Sequence, residues 1–191
     1  MTNNPQQMAN LFNKFFLNKI KVIREAMNDP VSTEPTERLK SWLQKREQPI
    51  PNFSLKTIDM NTLRKAMKRI KGKKIAGADW IDSYSLKMAG PFIEESLLHM
   101  INLSIKSGIF PSAWKQQIIL PLHKKKEKEE MSNYRPVCHF IQVGIILEYV
   151  ICDQITEHFQ QNNLFHPNHH GSLQNHSTAT ALLHLHTRCQ Q

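Results

Sequence analysis

Apolar residues recur at three- and four-residue intervals along most of this chain, and they run together in only one short stretch. Leu11, Phe12, Phe15, Phe16, Ile20 and Ile23 form one stripe of a first helix, which Asp29-Pro30 would end. A short second helix holds Leu39, Trp42 and Leu43, and Pro49-Ile50-Pro51 after it reads as extended linker. Asp59 can cap a third helix, with Leu63, Ala66, Met67 and Ile70 on one face and Arg64, Lys65, Lys68 and Arg69 around the rest. Pro91 suits the first turn of the next helix, whose buried face is Ile93, Leu97, Met100, Ile101 and Ile105 and which Gly108 stops. The widest apolar face, Val143, Ile146, Leu147, Val150, Ile151, Ile155 and Phe159, predicts a mostly buried helix from Ile141 to Phe159. Ser177 or Thr178 can cap a closing helix containing Leu182, Leu183 and Leu185.

The exception is Ile118-Ile119-Leu120-Pro121-Leu122, too short and too continuous for an amphipathic helix. It reads as a short buried strand entered through a turn at Gly108-Ile109-Phe110-Pro111 and Trp114. The fold class that follows is α+β and mostly helical, with a small antiparallel sheet or hairpin built around Ile118 to Leu122 and the residues near Tyr134. Residues 1–52 read as a helical lead-in and linker, and 53–191 as the main domain.

Composition narrows the partners. The chain has 191 residues, 40% of them hydrophobic, enough for one sizeable core or two small ones. Its formal charge of +9 points to a polyanion such as nucleic acid or an anionic membrane surface. No stretch approaches the ~20 apolar residues of a membrane span, and the N-terminus is polar where a signal peptide needs an apolar core. The expected location is therefore intracellular, nuclear or cytoplasmic, and not secreted. Three widely spaced cysteines, Cys138, Cys152 and Cys189, argue against a disulfide framework. Seven of the ten histidines lie between His158 and His186. His184, His186 and Cys189 invite a zinc reading, but without a CxxC pair solvated or structural histidines are preferred.

The strand leads directly into His123-Lys124-Lys125-Lys126 and then to Asn133-Tyr134-Arg135-Pro136. Lys124, Lys125 and Lys126 are flexible point charges suited to a polyphosphate or nucleic-acid backbone, whereas Arg135 offers a rigid fork for two phosphate oxygens. From these residues alone, a hairpin with a solvated lysine turn and Arg135 paired to a carboxylate fits equally well. The glycine-containing loop from Gly72 to Asp79 lacks the spacing and the preceding strand of a nucleotide-binding phosphate loop.

The order of motifs carries more than any one of them. Lys-x-Ala-Gly-x-Asp (Lys74 to Asp79) is followed by Gly-x-Phe-Pro-x-x-Trp-Lys (Gly108 to Lys115) and Pro-Leu-His-Lys-Lys (Pro121 to Lys125). Then come Asn-Tyr-Arg-Pro (Asn133 to Pro136) and His-Ser-Thr-x-Thr-Ala-Leu (His176 to Leu182). This succession resembles the reverse transcriptase, an RNA-directed DNA polymerase, of non-LTR, LINE-like retrotransposons, over about residues 55 to 188. Phe12 to Arg24 is similar to the region preceding the polymerase in those elements. The resemblance implies the fingers of a right-hand polymerase, with the palm just entered at the C-terminus and otherwise missing.

In that family the arginine of Asn-Tyr-Arg-Pro contacts the phosphates of the incoming deoxynucleotide, a role that the resemblance gives to Arg135, with Lys124 second. It also implies nucleic-acid contacts for Lys73, Lys74, Lys125 and Lys126, and as partners an RNA template, a DNA or RNA primer and a deoxynucleoside triphosphate. The chain departs from the family at Ile75, at Ala78, at Gly171-Ser172-Leu173 and at Cys138-His139-Phe140. No residue from His158 to Gln191 is acidic. The aspartates that hold the two catalytic Mg²⁺ ions of a complete polymerase are expected beyond Gln191. The expectation is a fragment that binds no cofactor and does not polymerise alone; a basic nucleic-acid-binding module or a remnant of a decayed retroelement is the alternative.

Overall fold

The computed structural model describes residues 4–26, 35–44, 51–72, 74–166, 168–173 and 175–189. Six helices are seen among them: α1 (Pro5–Ala26), α2 (Pro35–Gln44), α3 (Met60–Arg69), α4 (Ser83–Ser107), α5 (Gln142–Gln161) and α6 (Thr178–Cys189). Between α4 and α5 lies a two-stranded antiparallel sheet, β1 (Gln117–His123) and β2 (Tyr134–Phe140). The expected class, mostly helical with a small antiparallel sheet, is observed. Asp29-Pro30 and Pro49-Ile50 lie outside the described residues, as do the side chains of Leu39, Trp42 and Leu43.

The core is where α3, α4 and α5 meet. Leu63 of α3, Ile101 of α4 and Ile146 and Leu147 of α5 are fully buried, ringed by Ala66, Met67, Leu97, Ile105 and Val150. Each such aliphatic side chain contributes roughly 1.5–3 kcal/mol by leaving water. Local signals set the helix ends. The Asp59 carboxylate accepts the Thr62 backbone N–H at 2.8 Å to open α3. Gly108 closes α4 in the left-handed conformation (φ 66°), its N–H reaching the Ile105 carbonyl.

The expectation that Pro91 begins a helix is corrected. The α4 helix starts eight residues earlier, where Asp82 caps the Ser85 N–H at 2.7 Å, and runs through Pro91. A proline there removes one helical hydrogen bond and costs roughly 3 kcal/mol. Burial of Leu86 before it and Leu97 after it, in the same core, holds the helix together across the gap.

The segment from Pro51 to Asp59 has no regular secondary structure and is held by two side-chain amides. Asn102 of α4 accepts the Ile58 N–H at 2.8 Å and donates to the Ile58 carbonyl at 2.9 Å. Gln154 of α5 does the same for Lys56, with both bonds at 2.8 Å. Each amide satisfies both backbone groups of a residue that lies in no helix or strand.

Burial corrects two further expectations. The Ile118 to Leu122 strand is not buried: Leu120 is 49% and Leu122 58% exposed, because a two-stranded sheet covers one face at most. The α5 helix is buried only in its first half; Ile155 and Phe159 are exposed. On α1, Phe12 is buried, but Leu11, Ile20 and Ile23 are exposed.

A candidate phosphate-binding hairpin

Register places the chemistry of the hairpin. In the antiparallel ladder Leu122 faces Arg135 and His123 faces Tyr134, so the two pairs project from opposite faces. Pro121 lies directly opposite Pro136. The Lys124 N–H bonds to the Asn133 carbonyl at 2.8 Å, which makes 124 and 133 a hydrogen-bonded pair. Counting back along the ladder, Pro121 and Pro136 then fall at a non-hydrogen-bonded pair, where neither ring nitrogen breaks the ladder. Each instead blocks the outer edge of its strand against further pairing.

The 124–133 loop is fixed by its own polar groups. The Asn133 side chain donates to the Glu127 carbonyl at 2.9 Å, and the Tyr134 hydroxyl donates to the Lys128 carbonyl at 3.0 Å. Lys126 adopts a left-handed backbone (φ 74°), unusual for a lysine. Behind the tip, Phe12 of α1 packs edge-on to Tyr134 with ring centroids 4.8 Å apart, and Tyr134 packs against His123 at 5.1 Å. The N-terminal helix therefore buttresses the hairpin from the face opposite Arg135.

On the Arg135 side lies an open groove of about 570 Å³, lined by Leu122, His123, Lys124, Lys125, Lys126, Ser132, Asn133 and Arg135. Four of these residues are cations and none is a carboxylate. Among the described residues no acidic side chain pairs with Arg135, although Arg64 and Arg69 are paired, with Glu94 at 2.7 Å and Asp153 at 2.6 Å. The carboxylate-paired alternative for Arg135 is not what this geometry presents. The arrangement can offer one planar fork and three mobile ammonium groups to a phosphate chain.

The structure brings together Arg135, Lys124, Lys125 and Lys126 of the residues selected from sequence. Lys73 lies outside the described residues. Lys74 is exposed elsewhere, its ammonium 5.8 Å from the centroid of the Tyr84 ring. Its loop packs at the base of the hairpin, where a Cβ added to Gly77 would come within 2.8 Å of the Phe140 carbonyl oxygen. At the usual rise per strand residue, that base is about 20 Å from the tip. Sequence reasoning missed Ser132 in the groove wall, the clamping side chain of Asn133 and the Phe12 buttress.

Among the described residues, no three His, Cys, Asp or Glu side chains are placed together to hold a metal ion. Asp153 is bound to Arg69, and Glu157 accepts a hydrogen bond from Gln161. The described residues thus offer no such cluster for the paired Mg²⁺ ions of a polymerase. No helix is long and apolar enough to cross a membrane among the described residues.

Fold and site thus define a basic, mostly helical α+β chain that presents a cationic hairpin. No protein-family model matches it. The chain is 31% identical over 91 residues to the 115 kDa protein in the type-1 retrotransposable element R1DM of Drosophila melanogaster; the match covers 47% of this chain and 9% of that protein. It is 24% identical over 105 residues to the RNA-directed DNA polymerase from the mobile element jockey of Drosophila melanogaster, covering 54% of this chain and 12% of that protein. The chain spans about a tenth of the length of these curated relatives. These partial similarities relate it to proteins encoded by retrotransposons.

Proposed function

We propose that this chain is the fingers portion of an RNA-directed DNA polymerase, and that the tip of its β1–β2 hairpin grips the phosphates of an incoming deoxynucleotide or of a nucleic-acid strand. The observation that carries this reading is the groove of Lys124, Lys125, Lys126 and Arg135 with no carboxylate in its lining. Distant similarity to a jockey polymerase supports it. Arg135 is the directional donor, and the three lysines supply field and reach. Template and primer are the macromolecular partners. Chemistry at the nucleotide would need metal-binding carboxylates that the described residues do not assemble, so the chain contributes binding and leaves catalysis to other residues.

Titration with a deoxynucleoside triphosphate and, separately, with single-stranded RNA tests this. The fingers reading expects Arg135→Ala to weaken triphosphate binding about tenfold, the scale of one charge-assisted hydrogen bond. RNA affinity should change less. Loss of RNA affinity with no detectable triphosphate binding in either protein would favour a plain nucleic-acid-binding module. Primer extension with Mg²⁺ or Mn²⁺ should be absent; incorporation of deoxynucleotides would contradict the non-catalytic assignment.

A further inference from the structure

At the C-terminal end, α6 is docked by the wrong side for an ordinary amphipathic helix. Leu182, Leu183 and Leu185 are 66%, 65% and 61% exposed, while its polar side faces the preceding loop. There His184 Nε2 donates to the Asn168 side-chain oxygen at 3.2 Å, and Arg188, one turn on, donates to the same oxygen at 2.9 Å. The His170 ring packs between two others, its centroid 5.3 Å from that of His176 and 5.4 Å from that of His184. Both ring nitrogens of His170 are buried with no hydrogen-bond partner. The leucines of α6 therefore contribute little burial, and two hydrogen bonds to Asn168 and the packing of His184 on His170 join the helix to the loop.

We propose that His170, packed against His176 and His184, is a proton-operated latch, which seats α6 against Asn168 and His170 when its ring is neutral and releases α6 when that ring is protonated. Every titratable or charged group found around His170 is neutral or cationic. His169 is its neighbour and stacks on Phe165 with centroids 5.6 Å apart. His166 accepts the Asn168 N–H through Nδ1 at 3.1 Å, and Arg188 reaches the same asparagine. No acidic residue occurs from His158 to Gln191. Of the carboxylates just upstream, Asp153 is bound to Arg69 and Glu157 to Gln161. Among the described residues, the charges that act on His170 are those of His176, His184 and His169, so a proton arriving there meets repulsion.

Burial, and then the neighbouring His176, His184 and His169, hold the His170 imidazole below its ordinary value of 6.5. With the folded value depressed, the unlatched form binds the proton more readily. The latch is at full strength above the unfolded value and weakens as pH falls through it towards the folded value.

Amide hydrogen exchange on the 191-residue chain tests this, read as protection factors so that the intrinsic pH dependence of exchange is removed. The expected result is a several-fold fall, of about threefold or more, in α6 protection between pH 7.5 and 5, with α3 and α5 unchanged. His170→Phe keeps a ring and loses the charge, so its α6 should stay protected at pH 5. Constant α6 protection across that range would overturn the latch, as would a His170→Phe chain that releases α6 at the natural midpoint. Imidazole proton shifts in the unmodified chain give a second readout. His170 must titrate together with the loss of protection; titration that leaves α6 protected would also overturn the proposal.

Discussion

The three-helix core and the β1–β2 hairpin solve opposite problems in one chain. In the core, α3, α4 and α5 bring Leu63, Ile101, Ile146 and Leu147 out of water, and residues distant in sequence depend on one another. The hairpin buries little. Its tip is held by bonds within residues 124–134 and by one aromatic contact from α1, and its cations face solvent. Stability therefore resides in one region and charge presentation in the other. Substitutions should separate the two cleanly.

The largest expected effect is in the core. Leu147→Ala or Ile101→Ala should lower unfolding free energy by about 2–5 kcal/mol, the usual cost of a cavity at a fully buried aliphatic position, read by denaturant titration. The same experiment on Arg135→Ala should show a change within about 0.5 kcal/mol, since an exposed cation with no acidic partner among the described residues stabilises little. A large loss there would erase the distinction between the regions. Next in size is Asn102→Ala, which releases both backbone groups of Ile58 and should cost about 1–3 kcal/mol. Within the hairpin, Lys126→Gly relieves a left-handed backbone and should gain up to about 1 kcal/mol while removing one groove cation. Stability and nucleic-acid affinity would then move in opposite directions.

The smallest effect concerns the helix caps. Hydrogen bonds from Thr62, side chain first and backbone next, hold the Asp59 carboxyl below its ordinary value, and the Ser85 backbone N–H does so for Asp82. A carboxyl depressed in the folded state adds stability that is present above the unfolded value and lost as pH falls through the folded one. Thermal unfolding should show a shallow decline below about pH 4, and Asp59→Asn should flatten part of it.

What could be read from sequence follows the range of the interactions. Asp59, Gly108 and Ser177 were legible because a cap is decided within three or four residues: the Ser177 hydroxyl accepts the Thr180 N–H at 3.2 Å, as its position predicts. Pro91 misled because a proline tolerated inside a helix looks the same in sequence as one that begins it, and Asp82 held the stronger signal. The amide clamps of Asn102 and Gln154 join residues 44 and 98 positions apart, and no local pattern marks them. In the candidate site, Lys124 to Lys126 and Arg135 came together because a hairpin makes sequence neighbours into spatial ones. Lys74 did not join them, since its loop meets the other end of β2. The Phe12 contact with Tyr134 was invisible for the same reason as the clamps.

The central claim is that the hairpin groove engages phosphate through its four cations without help from the core. Salt dependence of single-stranded RNA binding tests it most directly. Four phosphate contacts predict a slope of log K against log salt of about −3, and Arg135→Ala should make it shallower by about 0.7 at unchanged unfolding free energy. A slope that Arg135→Ala and Lys124→Ala both leave untouched would contradict the account.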